Sequence, residues 1–201
     1  MAIRREQTMS GTEFRAFQAT RPDHERWELV GGVALQAGRP TILHNYLAGN
    51  LLGLLNKRLD RYAPSLVAIQ RLGIDFGASD CKPEPDVAVI DVTYAPHQRF
   101  ADRAYLLAEV TSEDDEMIVP GTDRKWINVK RELYRAHTHC EAIVVVAQDR
   151  IRVELELQTE AGWKSSVLEG TNAELVVPSM GVRFFLDELY ASTPLQPRPA
   201  A

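Results

Sequence analysis

Apolar positions recur along the chain with two different periods, and the switches between them mark out its elements. Leu43, Leu47, Leu51, Leu54 and Leu55 follow a three-and-four spacing, which lines one face of a helix. That helix is expected to take Pro40 in its first turn, where a fixed φ and a missing N–H do no harm, and to run to about Tyr62. Ser10-Gly11-Thr12-Glu13 has the form of a capping box and predicts a short helix to about Gln18. WELVGGVALQA (27–37) reads as a strand pair bent at Gly31-Gly32. LVAIQRL (66–72), DVAVI (86–90), YLLAEVT (105–111) and EAIVVVA (141–147) are nearly continuous apolar runs, the form of buried strands. A helix from about Asp123 to Ala136 separates the last two. RIRVELELQ (150–158) alternates as a half-exposed strand does, and the short Gln148-Asp149 link predicts a hairpin with the strand before it. WKSSVLE and GVRFFLDELY complete the core, and the proline-rich ASTPLQPRPAA (191–201) is expected to fray. With neither an internal repeat nor a dividing linker, the pattern predicts one mixed α/β domain around a mostly antiparallel central sheet.

Composition narrows the class. The 201 residues are 45% hydrophobic and 25% charged, and so belong to a globular chain long enough to bury a core without disulfides or a structural metal. The net charge of -5 means that any surface for nucleic acid must be a local patch. Cys81 and Cys140 stand 59 residues apart without a CxxC spacing, the usage of a reducing compartment. MAIRREQTMSGTEF has no apolar stretch behind its basic residues, so no signal peptide is expected. The charge-free run from Pro40 to Asn56 carries His44, Asn45 and Asn50, which disfavours a membrane span. A cytoplasmic protein without membrane contact is expected.

The candidate chemistry lies between Glu84 and Tyr134. Asp86 heads the DVAVI strand, and Glu109 is the one charge inside YLLAEVT. If the two strands pair antiparallel with residue numbers summing to about 195, Asp86 faces Glu109. A carboxylate in a buried strand costs several kcal/mol unless a cation or hydrogen bonds satisfy it. A divalent ion removes the repulsion between two such groups, and magnesium takes a couple of carboxylates plus waters. A turn aspartate and a salt-bridged glutamate are the plainer alternative. On the following helix Trp126, Val129 and Leu133 form the apolar stripe, with Lys130 beside it, where it either assists an attacking water or snorkels. Arg124, Arg131 and Arg135 share another face and are expected to form a solvent-exposed basic stripe.

EPDVAVI, LLAEVTS and KRELY, in this order and spacing, resemble the Uma2 family of restriction-endonuclease-like proteins, within the PD-(D/E)xK nuclease superfamily. WELVGG, His44 and VVPSMGVRFFLDELY extend the resemblance over about residues 10–190. The resemblance implies a restriction-endonuclease-like core with flanking helices and an added β-rich C-terminal part. It implies a Mg²⁺- or Mn²⁺-dependent endonuclease acting on DNA, with Asp86 and Glu109 as metal-binding acids. The lysine usual two residues after the glutamate is replaced by Thr111, and Lys130 stands in for it through its spacing to Tyr134. Glu28 and His44 match an outer acid and a helix histidine. His44 also shares the face of Leu47, Leu51 and Leu55, as a hydrogen-bonded core histidine would.

The chain departs from the family in placing Trp126 and Ile127 where an acid is frequent, and Ile143 and Val144 where an aromatic pair is. Glu113-Asp114-Asp115-Glu116 follows Glu109 closely and would repel phosphates unless turned away. Under the nuclease reading Arg124, Arg131 and Arg135, with Lys57, Arg58 and Arg61, would contact the DNA backbone. The rival reading is a non-catalytic module of the same fold that binds nucleic acid or a protein. A homodimer is also expected, with RIRVELELQ as one candidate interface. His137, His139 and Cys140 form a compact cluster that lacks a fourth zinc ligand nearby in sequence.

Overall fold

The computed structural model describes residues 8–196 apart from Asp23 and Ala78. Helix α1 (Gly11–Gln18) opens at Ser10, whose side chain accepts from Glu13 N while Glu13 reaches back to the Ser10 N–H. Strands β1 (Trp27–Val30) and β2 (Val33–Gln36) form the expected hairpin, with Gly31 and Gly32 at φ of 56° and 80° supplying its bend. Helix α2 (Ile42–Tyr62) starts two residues later than Pro40, because Thr41 takes the N-cap and accepts from His44 N.

Six strands build the main sheet: β3 (Leu66–Gln70), β5 (Val87–Asp91), β7 (Leu106–Val110), β8 (Ala142–Val146), β9 (Arg152–Thr159) and β10 (Gly162–Glu169). Two short strands, β4 (Gly73–Ile74) and β6 (Phe100–Ala101), pair in parallel outside it. The order across the main sheet is β10-β9-β8-β7-β5-β3. Each neighbouring pair is antiparallel except β7 and β8, which are parallel and joined by helix α3 (Trp126–Ala136). The expected strand 66–72 stops at Gln70, since Arg71 adopts a positive φ of 52°. Helix α3 begins three residues after Asp123. Residues 117–126 are held in a tight loop by the Trp126 N–H to Met117 carbonyl and Val119 N–H to Arg124 carbonyl bonds.

Alternation along the buried strands produces two apolar layers. Val87, Val89, Ala108, Val144 and Val146 face α2 and pack with Leu47, Leu51, Leu55 and Leu59. The same layer continues into the hairpin of β11 (Glu174–Val177) and β12 (Val182–Phe185) and the short α4 (Leu186–Leu189). Ala88, Leu107, Ile143 and Val145 face the other way and meet Ile127 and Tyr134 of α3. In the tail, Thr193 is buried, and Asn50 of α2 donates to the Leu189 and Ala191 carbonyls; 197–201 lie outside the described residues. Among the described residues, no helix is long and apolar enough to cross a membrane.

The strand expected to be half-exposed alternates as predicted, with Gln158 and Thr159 exposed, but Glu156 on its polar face is buried. β9 pairs on both edges, and α3 covers its polar face, leaving Glu156 at 1% exposure. Arg131 and Arg135 therefore do not form an open basic stripe. Arg131 Nε and Arg135 Nε each donate to Glu156 at 2.5 Å, and Arg131 Nη1 reaches Glu154 at 2.7 Å. Arg124 pairs with Glu132 at 2.5 Å. Neither edge of the RIRVELELQ strand is free, so no second copy can add a strand to it. Glu156→Ala strands two guanidiniums against a buried strand. It should lower the unfolding free energy by about 2 kcal/mol in denaturant titration, below the loss for a fully buried pair because Arg135 is 36% exposed.

Candidate active site

The β5–β7 register decides where the two acids lie. Val87 faces Ala108 and Ala88 faces Leu107, so paired numbers sum to 195 and the continuation places Asp86 opposite Glu109. The Glu109 carboxyl meets α3 and the Asp86 carboxyl meets the start of α2, at the strand end where residues 26–28 and 112–116 converge. They line a cleft of about 830 Å³ whose walls include His44, Lys130, Arg39 and Gln148.

Asp86 is 5% exposed. Its Oδ2 accepts the Val110 N–H at 2.9 Å and stands 3.1 Å from His44 Nε2, while Oδ1 faces Arg26 Nη1 at 3.6 Å. Burial pushes its pKa up. The His44 hydrogen bond and charge, the Val110 N–H and the Lys130 charge outweigh that and leave it below the usual carboxylate range. Glu109, 2% exposed, accepts from Lys130 Nζ at 3.1 Å on Oε2 and from the Tyr134 hydroxyl on Oε1. Its pKa lies well above the ordinary value. Burial is the main cause, and the charges of Asp86, Asp115 and Glu28 add to it against the pull of Lys130.

Lys130 does not snorkel. Its ammonium donates to Glu109 and, at 2.9 Å, to Asp115 Oδ1, lies 3.6 Å from Glu28 Oε1, and sits 5.7 Å from the Trp126 ring centre. Burial opposes its charge, yet Glu109, Glu28 and Asp115 hold its pKa well above the ordinary lysine value. Glu28 is fixed in turn, accepting Glu84 N–H at 2.9 Å and Trp126 Nε1–H at 2.8 Å. The aromatic that replaces an acid on α3 thus orients the outer carboxylate from the other side. His44 is buried, as a core histidine would be, and also lines the cleft, where its Nε2 meets Asp86.

Two members of the site were not singled out from the sequence. Asp115 is buried at 3% exposure inside a run of acids, because its Oδ2 accepts the Ser112 N–H and hydroxyl at 2.8 and 3.0 Å and turns the chain inward. Arg26 adjoins the WELVGG strand and reaches over Asp86. The acidic run is therefore divided. Asp115 enters the site, Asp114 accepts the Gly38 N–H at 2.9 Å across the cleft, and Glu116 pairs with Lys125 on the surface.

The model of the family described as "Putative restriction endonuclease", Uma2, matches residues 12–186. The chain belongs to the Uma2 family. The fold is also similar to the crystal structure of a "putative nuclease belonging to DUF820" from Anabaena variabilis ATCC 29413, with a TM-score of 0.65 and 16% identity over 87% of this chain and 95% of that one. Curated proteins include no match. The chain is thus a restriction-endonuclease-like protein in family and fold.

In this Uma2 protein the oxygen donors of Asp86 and Glu109 are of the hard kind that a magnesium-type ion takes. Among the described residues no group of three His, Cys, Asp or Glu side chains is arranged to hold an ion, so two carboxylates and water would have to suffice. The same finding covers His137, His139 and Cys140. His137 Nε2 accepts the Ala104 N–H at 3.1 Å, and the Cys140 thiol donates to the Ala142 carbonyl at 3.4 Å. Burial pushes the Cys140 thiol up to about 12. Cys140 should accordingly resist Ellman's reagent at pH 8 in the native protein and react once denaturant is added; rapid native labelling at Cys140 would contradict this.

Proposed function

We propose that this Uma2 protein is a divalent-metal-dependent endonuclease that hydrolyses DNA phosphodiester bonds, with Asp86 and Glu109 holding Mg²⁺ or Mn²⁺. The observation that carries the reading is the convergence in one cleft of two opposed carboxyls with a fixed ammonium. When bound, the ion supplies Lewis-acid polarisation of a phosphoryl oxygen and a more acidic water. The chain's own residues supply the rest. Asp86, held ionised, is a ready oxygen ligand. Lys130, held protonated, orients Glu109 and places positive charge beside the reacting centre, and does not act as the base for water. Tyr134, His44 and Asp115 are positioning residues for Glu109, Asp86 and Lys130 respectively. DNA affinity rests on local cations rather than on α3, whose arginines are engaged with glutamates.

The alternative, a non-catalytic module of the same fold, draws support from one feature. Three carboxyls already surround Lys130, and Glu113, Asp114 and Glu116 line the same cleft. The deciding experiment pairs calorimetric titration of Mg²⁺ and Mn²⁺ with incubation of supercoiled plasmid and linear duplex, with and without EDTA. Ion binding together with EDTA-sensitive cleavage is the expected result. Neither binding nor cleavage with either ion would transfer the assignment to the non-catalytic module.

A further inference from the structure

We infer that Arg26 is a residue of this cleft that grips a phosphate of the bound nucleic acid, in the place that the sequence assigns to the α3 arginines; the inference rests on the nuclease reading and names how its site takes substrate. A phosphate anchor needs a permanent positive charge, access to the cleft and donors not already saturated by internal acids. The cations around the site differ sharply on the third point. Lys130 is surrounded by Glu28, Glu109 and Asp115 at 3.6, 3.1 and 2.9 Å. Arg131 and Arg135 hold Glu154 and Glu156 at 2.5 to 2.7 Å.

Arg26 is held more loosely. Nη2 donates to the Glu84 carbonyl at 3.1 Å, but Nη1 stands 3.6 Å from Asp86 Oδ1 and Nε stands 3.8 Å from Glu84 Oε2, both beyond hydrogen-bond length. Among the described residues, the buried Nε has no hydrogen-bond partner. A guanidinium has five N–H donors in a planar fork, and Arg26 lines the cleft beside Asp86, the carboxylate that heads β5. The side chain is 18% exposed, so a phosphate arriving there would meet a partly desolvated charge. The backbone fixes the base of the side chain, since the Arg26 carbonyl accepts the Ala37 N–H at 3.0 Å and the next residue begins β1. A phosphate oxygen at Nη1 would take a hydrogen bond that Asp86, at 3.6 Å, does not. The same phosphate on Lys130 would have to displace a carboxylate.

The test measures binding apart from chemistry. Fluorescence anisotropy of a labelled duplex is followed against salt in EDTA for wild type, Arg26→Gln, Arg26→Lys and Arg124→Gln, with melting temperatures recorded alongside. Arg26→Gln should bind about tenfold more weakly, with the slope of log K against log salt reduced by about 0.9, the loss of one phosphate contact. Arg26→Lys keeps the charge but not the fork, and should retain the slope while losing a few-fold in affinity. Arg124→Gln should bind as wild type does, because that guanidinium is paired with Glu132 on the surface. If Arg26→Gln fails to fold, loss of affinity in Arg26→Lys carries the inference and unchanged affinity overturns it. Wild-type affinity and slope in Arg26→Gln overturn the inference and leave the nuclease reading standing. Wild type that binds neither the duplex nor a single strand overturns both.

Discussion

Glu109→Ala should abolish metal-dependent cleavage, with a loss of at least ~10³-fold and no comparable loss of stability. Glu109 is the more expensive of the two proposed ligands to keep ionised, because burial and three neighbouring carboxyls hold its pKa well above the ordinary range. Removing it relieves that crowding and leaves Lys130 with Asp115 and Glu28. The cost is an unpartnered Tyr134 hydroxyl, about 1–3 kcal/mol. Glu109→Gln retains an acceptor for Tyr134 and should fold better while cleaving no more. A pH dependence follows from the same shift. A ligand must lose its proton to take a metal, so ion affinity should rise with pH as Glu109 deprotonates. Asp86, with its pKa lowered, is already ionised near neutrality and adds no slope there. Calorimetric titration of Mn²⁺ at a series of pH values across the range in which the protein stays folded reads this directly. Cleavage or ion binding that survives unchanged in Glu109→Ala would remove Glu109 from the metal and the mechanism with it.

The acids and the lysine were legible because the fold here follows local rules. Val87, Val89, Leu107 and Ile143 sit in apolar runs too regular to be loops, and the antiparallel register of β5 and β7 is the one in which Asp86 meets Glu109. The helical period of α3 places Lys130 beside its apolar stripe and so toward the sheet. Three things were not legible, each because a partner distant in sequence reversed a local preference. The α3 arginines look solvent-facing by helix periodicity, but β9 presents Glu154 and Glu156 to the same face. The acidic run 113–116 looks uniformly solvated, yet the Ser112–Asp115 hydrogen bonds turn one member inward onto Lys130. Arg26 lies outside every acidic motif and gains its place only when the β1–β2 hairpin folds against residues 82–84. Charge patterns on a single element report its exposure poorly when the facing element carries the complementary charge.

Lys130→Met should be the most destabilising substitution in the site, lowering the unfolding free energy by about 3–5 kcal/mol. Methionine can fill the space beside Trp126, so lost packing is a minor part of the effect. The larger part is that Glu109, Asp115 and Glu28 remain buried around a position with no counter-charge. The sign of the pH response separates the two contributions. Lys130 has a folded pKa raised above its unfolded value, so its stabilisation is fully present below the unfolded lysine pKa of about 10.4 and is lost only as pH rises through the higher folded value. In the variant, the remaining carboxyls regain stability by taking up protons. The gap between wild type and Lys130→Met should therefore narrow as pH falls from 8 to 5, with Glu109 protonating first because its pKa is already raised. Adding Glu109→Gln to Lys130→Met should restore part of the loss, a strongly non-additive pair, whereas a packing defect would leave the two effects additive. Urea titrations of the two single variants and the double variant at pH 5 and 8 give the answer. An effect of Lys130→Met that is constant with pH and additive with Glu109→Gln would show that the ammonium is not what holds these carboxyls in the interior.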